Sequence, residues 1–270
     1  AALEDALARM FREGCEAPLR HRHALPAEAT LLLMPAWTAR FSGVKVVHVA
    51  PANGARGLPA VAATYLLSDA ATGQPLAMLD GGELTDRRTA AASTLAGRFL
   101  ARPESSRLLV LGSGRVAAAL AEAWCARFPI RRLAIWSRAA ANAERLAARL
   151  SAHGLPAEVA ATPDPRGFDI VSAATLSETP LVRGEEVEPG THVDLVGAFR
   201  PHMRESDGAL LARATVVVDT RAGGLAEAGD VVRAIEEGAI RGGDVAAELA
   251  DLCRGAHPGR RQAEEVTVFK

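Results

Sequence analysis

Cysteine is scarce in this chain: three residues, Cys15, Cys125 and Cys253, odd in number, far apart and in no metal-ligand spacing. That pattern leaves no expectation of a disulfide framework or a metal centre and fits reduced thiols in a cytoplasm. Long apolar runs are missing as well. None approaches the ~20 residues of a membrane helix, and the start is not a basic segment leading into an apolar one. Charge of one sign is also lacking: the formal net charge of −1 gives no general attraction to nucleic acid or anionic membranes. There is no initiator Met, so residue 1 is not expected to be the natural terminus. These absences leave a soluble protein with small-molecule partners. Its 270 residues, 49% of them hydrophobic, can bury a substantial core, in two domains rather than one.

What is present is organised around residues 108–116, LLVLGSGRV. The apolar run 108–111 reads as a buried strand, Gly112-Ser113-Gly114 as a turn, and residues 115–127, beginning with Arg115 and Val116, as a helix. In Gly112-x-Gly114-x-x-Ala117 the first Gly allows the tight turn, the second lets a pyrophosphate approach the backbone, and Ala117 is small enough for close helix–strand packing. Free amides and the helix dipole favour a phosphate there. A second apolar run, 133–136, follows at the spacing of a right-handed βαβ crossover. It ends in Ser137-Arg138 with no acid. An Asp or Glu at this point would accept from a ribose 2′-hydroxyl and repel a 2′-phosphate, whereas Ser137 and Arg138 can bind one, so NADPH is expected over NAD.

Further buried strands are expected at 169–174, 192–198 and 215–220, which makes a doubly wound Rossmann-type parallel sheet. Ligands gather at the carboxyl ends of such strands, so Thr175, Gly197 and Asp219 join the glycine turn as candidates. The link between the expected strand 157–161 and the strand at 169 is too short for a full crossover, so either it is unusually short or residues are missing from the sequence. Before the glycine turn the pattern differs. Residues 1–11 carry Leu3, Leu7, Met10 and Phe11 at helical spacing, Arg20-His21-Arg22-His23 form a polar knot read as a solvated loop, and short strands at 44–49, 60–67 and 75–79 joined by turns imply an antiparallel sheet. Lys45 lies among valines on one face of its strand, either at a sheet edge with its ammonium in water or pointed into a cleft. Thr85 can cap a helix, placing Arg88 and Thr89 in its first turn, where a cation is misplaced unless an anion is also bound. Helices are expected at 230–237 and 244–253 and a strand at 266–269, packing back on the N-terminal sheet. The resulting domains are 1–102 with 225–270, a discontinuous α+β substrate and dimerisation domain, and 103–224, the dinucleotide-binding domain.

The runs Leu33-Met34-Pro35-Ala36, Leu79-Asp80-Gly81, Arg88-Thr89-Ala90-Ala91, Leu111-Gly112-Ser113-Gly114, Val218-Asp219, Gly229-Asp230 and the closing Val266-Thr267-Val268-Phe269-Lys270 together resemble the ornithine cyclodeaminase / mu-crystallin family. The resemblance runs almost end to end. It implies a homodimer acting on an amino or imino acid with a nicotinamide cofactor, or binding a small ligand. It also implies that Arg20 (or Arg22 beside it) and Arg88 grip the substrate carboxylate, that Lys45 is the active-site lysine, and that Thr89, with the glycine turn, belongs to the cofactor site. One departure separates activities. Family cyclodeaminases and related alanine dehydrogenases carry an aspartate where this chain has Phe199, which removes the obvious base for an amine substrate. The mu-crystallin-like ketimine reductases lack it too. The expected reaction is therefore NADPH-dependent reduction of a cyclic ketimine carboxylate, pyrroline- or piperideine-2-carboxylate. The alternatives are an NAD-dependent ornithine cyclodeaminase, with Asp219 or Asp230 as replacement carboxylate, and a ligand-binding protein that retains NADPH.

Overall fold

The computed structural model describes residues 2–270. It divides into two compact units, Glu13–Arg88 and a second made of the segment before Glu13 together with Thr89–Lys270. These bounds differ from the expected domains: the strands within residues 225–270 pair in the parallel sheet of the second unit.

Helix α1 (Ala2–Glu13) opens the chain, and the first unit then forms an antiparallel sheet of β1 (His21–Ala24), β2 (Thr30–Trp37), β3 (Phe41–Val49), β4 (Val61–Asp69) and β5 (Pro75–Asp80), in sequence order. Of the polar knot at residues 20–23, His21, Arg22 and His23 thus begin an edge strand rather than a loop, with Arg20 just before it. Its four exposed residues pair with residues 30–33, and charge and imidazole on an edge discourage further strand addition. The strand register puts Met34, Lys45, Tyr65 and Leu79 in one row and Pro35, Val44, Leu66 and Met78 in the next. Alternation sends these rows to opposite faces.

Helix α2 (Gly81–Leu100) follows β5 without a loop. Asp80 caps it, accepting from the amides of Gly82 at 2.8 Å and Glu83 at 2.9 Å. Thr85 is therefore not the cap, and Arg88 lies beyond the first turn. The helix start carries Gly81 because β4 runs beneath it: a Cβ there would meet the Ala63 backbone at 2.8 Å.

In the second unit, α2 leads to β6 (Arg107–Leu111), α3 (Arg115–Arg127), β7 (Arg132–Trp136), α4 (Ala140–Ala152), β8 (Ala157–Val159), β9 (Ile170–Ala173), β10 (His192–Leu195), α5 (Gly208–Arg213), β11 (Thr215–Val218), α6 (Arg221–Ala226), α7 (Gly229–Glu236), β12 (Ala247–Glu248), α8 (Leu249–Arg254) and β13 (Thr267–Phe269). Its strands pair in the order β12-β11-β13-β10-β9-β6-β7-β8, all parallel. Alternation along β6 feeds two cores. Leu108 and Val110 meet Leu120 and Trp124 of α3 and Leu146 and Leu150 of α4, while Leu109 and Leu111 meet Leu210 of α5 and Val231 of α7. A sheet covered on both faces reads as continuous apolar strands, which is why β6, β9 and β11 were legible. The short link after β8 resolves the crossover difficulty. Its ten residues reach ~33 Å, ample for the ~14 Å across three strand spacings from β8 to β9. The expected helix at 244–253 is instead the edge strand β12 followed by the short α8. In α1 the buried stripe is Glu4 and Ala8, with Leu7 and Phe11 half-buried, while Leu3 and Met10 are exposed. Glu4 is tolerated inside because Thr94 Oγ1 donates to it at 2.5 Å and Arg127 lies 3.7 Å away.

Candidate active site

In the parallel-sheet unit, the turn after β6 has the form expected of a dinucleotide cradle. Gly112 is buried at φ +123°, and a Cβ there would stand 2.5 Å from the Ala174 carbonyl oxygen, so only glycine lets the turn lie against the end of β9. Gly114 has nothing within 4 Å of where a Cβ would be, leaving its backbone open to a phosphate. It is the N-cap of α3 and makes no side-chain cap bond, so the amides of the first turn, Arg115 and Val116 among them, keep the anion-binding character of a helix start. Ser113 Oγ donates to Ser137 Oγ at 3.0 Å, joining the ends of β6 and β7. Exposed Arg138 lies between β7 and α4 and does not begin the helix. The residues present thus fit a nicotinamide dinucleotide.

In the antiparallel unit, Lys45 sits on β3 with its Nζ 3.4 Å from Thr85 Oγ1, whose hydroxyl donates in turn to the Gly81 carbonyl at 2.7 Å. Burial lowers the pKa of Lys45, and the positive charges of Arg88 and then Arg20 lower it further. β3 is an inner strand of its sheet, so Lys45 does not lie at a sheet edge, and of the two neighbouring arginines it is Arg20 whose charge acts on it. Arg20 and Arg88 are both exposed, and their positive charges act on the Lys45 ammonium. Across the strand, Tyr65 lies over Gly43, the missing side chain making room for its ring, and burial raises its phenol pKa.

The other expected residues fall as follows. Thr89 is half-buried in α2. Asp219, just past β11, is exposed; its Oδ1 accepts from Thr220 N at 2.5 Å, and its amide donates to Lys270 O. Phe199 is 54% exposed with the Arg200 guanidinium over its ring. Thr175 and Gly197 lie at the ends of β9 and β10 and belong to a buried polar cluster that the sequence reading missed. Glu205 Oε1 accepts from Thr175 N and Oγ1 at 2.6 and 2.7 Å, Lys270 Nζ donates to Gly197 O at 2.6 Å, and Lys270 stands 2.9 Å from Asp230 Oδ2. Burial pushes the Glu205 carboxyl up to about 7, against the attraction of Lys270 and with Asp230 adding to the rise. Asp230, fully enclosed and committed to Lys270 and to the amides of Glu205 and Ser206, is no replacement base.

Among the described residues no helix is long and apolar enough to cross a membrane, and the three thiols are free.

Comparison with known proteins identifies the family. The model of the ornithine cyclodeaminase/mu-crystallin family matches residues 1–270. A Delta(1)-pyrroline-2-carboxylate reductase of Paracoccus denitrificans is 39% identical over 98% of this chain and 89% of its own. Among solved structures, the Thermococcus litoralis Delta(1)-pyrroline-2-carboxylate reductase, in complex with NADH and L-proline, superposes with a TM-score of 0.91 at 32% identity, covering 100% of this chain and 85% of that one. An archaeal alanine dehydrogenase dimer with bound NAD gives 0.91 at 30% identity, covering 99% and 84%. The expected class, an NAD(P)-dependent enzyme, is the class of these relatives. A match over the whole chain, with relatives at these identities, means that the chain belongs to the ornithine cyclodeaminase/mu-crystallin family.

Proposed function

We propose that this protein reduces a cyclic ketimine carboxylate, pyrroline- or piperideine-2-carboxylate, to the cyclic amino acid, with NADPH preferred over NADH. The observation that carries the reading is the placement of Lys45, half-buried on β3 with its Nζ 3.4 Å from Thr85 Oγ1 and under the charges of Arg88 and Arg20. A bound dihydronicotinamide supplies the hydride for the imine carbon. Arg20 and Arg88 hold the substrate carboxylate through charge-assisted hydrogen bonds. Lys45 gives a proton to the imine nitrogen, and its lowered pKa suits that transfer near neutrality. Gly112, Ser113, Gly114, Arg115 and Val116 seat the pyrophosphate, with Thr89, Thr175 and Gly197 completing the cofactor site. Ser137 and Arg138 take the 2′-phosphate, which no carboxylate at the end of β7 repels.

Phe199 supports an imine over an amine substrate, because no base needs to stand there. Ornithine cyclodeamination would need another carboxylate, and with Asp230 committed inside, exposed Asp219 is the residue for that role. The protein is also proposed to act as a homodimer in the cytoplasm. The row Leu66 and Met78, 42% and 75% exposed on the sheet face opposite Lys45, offers apolar surface to a second copy.

The test is NADPH and NADH oxidation with each cyclic imine, beside an ammonia assay with ornithine and NAD. Faster turnover of NADPH with an imine, and no ammonia from ornithine, is the expected result. Ammonia and proline without net cofactor change would overturn it, and loss of that activity in Asp219→Asn would then identify the base. Cofactor binding with no turnover on any of these substrates would leave the ligand-binding alternative.

A further inference from the structure

Glu205 is buried and half-satisfied. One oxygen holds Thr175 through its amide and its hydroxyl, and the other, Oε2, has no hydrogen-bond partner. Behind it, Asp230 Oδ1 accepts from the amides of Glu205 and Ser206 at 2.7 and 2.8 Å, fixing the backbone that carries the acid. Beside it, Gly197 has no room for a side chain, since a Cβ would collide with the Thr175 carbonyl and the Glu205 carboxylate. The next residue, Ala198, is buried at φ +41° and accepts from Gly229 N at 2.8 Å. A non-glycine residue at positive φ persists only where its surroundings over-determine it. Lys270 on the Gly197 carbonyl and Gly229 on the Ala198 carbonyl supply that constraint. For packing alone an acid with one free oxygen is a poor choice, because burying a carboxylate costs several kcal/mol. The turns it braces follow β9 and β10, and the first lies directly against Gly112.

We propose that Glu205 is a positioning residue for cofactor binding, holding Thr175 and, together with Lys270, the turn at residues 197–199 in the one conformation that completes the nucleotide cradle. This rests on the reading that the parallel-sheet unit binds a nicotinamide dinucleotide. The charged groups facing Glu205 are Lys270, just past β13, and Asp230 on α7, while Arg204 is paired with Glu237 at 2.5 Å. Ionised Glu205 grips Thr175 more strongly than the neutral acid does, charge-assisted hydrogen bonds being about twice as strong as neutral ones.

The test measures NADPH and NADH dissociation constants by fluorescence titration across the neutral range for the wild type, Glu205→Gln and Glu205→Ala, with thermal melting in parallel. Wild-type affinity should rise severalfold as pH increases through about 7. Glu205→Gln keeps a carbonyl for Thr175 and places its amide where Oε2 has no partner, so it should fold and bind with a flat pH profile. Glu205→Ala should bind about tenfold more weakly or worse, as expected for loss of a hydrogen bond to a charged group. A Gln variant that follows the wild-type pH course, or an Ala variant that binds as the wild type does, would overturn the inference. If the alanine variant does not fold, the glutamine profile alone decides. A wild type that binds neither cofactor would overturn the cofactor reading itself, and this inference with it.

Discussion

Replacing Lys45 by Ala tests the proposed chemistry most directly. The ammonium is half-buried, hydrogen-bonded to Thr85 and held below its ordinary pKa by burial, Arg88 and Arg20. Truncation removes a proton donor and leaves two guanidiniums to hold a carboxylate with less mutual repulsion. Substrate KM should therefore change little, while kcat falls by about 10²–10⁴-fold, the range for a positioned general acid, which is ~3–5 kcal/mol of barrier. Cofactor affinity should stay unchanged, because Lys45 is not among the residues proposed to seat the cofactor. The pH dependence supplies a second readout. A donor works in its protonated form, so the wild-type rate falls as pH rises through the lowered Lys45 pKa. Arg88→Gln removes the larger of the two charge contributions, so the fall should move to higher pH even as KM rises by ~10-fold or more from the lost charged hydrogen bond. Steady-state rates over a pH series, with cofactor titrations beside them, measure all of this. Equal loss of kcat and cofactor affinity in the alanine variant, or an alkaline limb that stays in place in Arg88→Gln, would refute the role of Lys45 as donor.

Gly112→Ala should cost ~1–3 kcal/mol from backbone strain alone, and more because its Cβ would meet the Ala174 carbonyl at 2.5 Å; urea denaturation and a weakened NADPH dissociation constant would show it. Ser137→Asp should reverse coenzyme preference, weakening NADPH through repulsion of the 2′-phosphate while leaving NADH nearly as before, read as the ratio of kcat/KM values. Asp169 accepts from Arg102 and Arg107 at 2.9 and 2.8 Å and from the amides of Ser106 and Arg107. Burial alone would raise its pKa, but the Arg107 and amide hydrogen bonds bring it down to about 2. Its contribution is therefore present above the unfolded value and is lost as pH falls through about 2. Asp169→Asn should cost about 1–2 kcal/mol at neutral pH, after discounting for solvent reaching the half-exposed Arg107, and its melting temperature should converge on that of the wild type in acid.

Which of these residues could be seen in the sequence follows from how far away their partners lie. The glycine turn was legible because strand, turn and helix are contiguous and Gly112 answers to backbone geometry within that stretch. The antiparallel strands and the position of Lys45 among valines were legible for the same reason. The start of α2 was misread although it is equally local. Asp80-Gly81-Gly82 looks like a turn, and glycine is a poor helix former, but Gly81 is demanded by β4 beneath it, a contact that spacing does not display. Arg88 was expected in a first turn, but it lies further along α2, and its effect on Lys45 comes through the fold of the antiparallel unit and not through a helix dipole. The C-terminal segment shows the limit more sharply. Residues 266–269 were read as a strand, and 267–269 form one, yet nothing in Thr267-Val268-Phe269 says that they insert between β10 and β11. That insertion is what delivers Lys270 to Gly197, 73 residues earlier, and to Asp230. Glu205, 30 residues from Thr175 and 25 from Asp230, had no periodicity or motif of its own to announce it. The groups proposed to meet a ligand were therefore nameable one at a time from local pattern, whereas the groups that hold them in place are defined by pairing among distant elements, and only the sheet order brings those together.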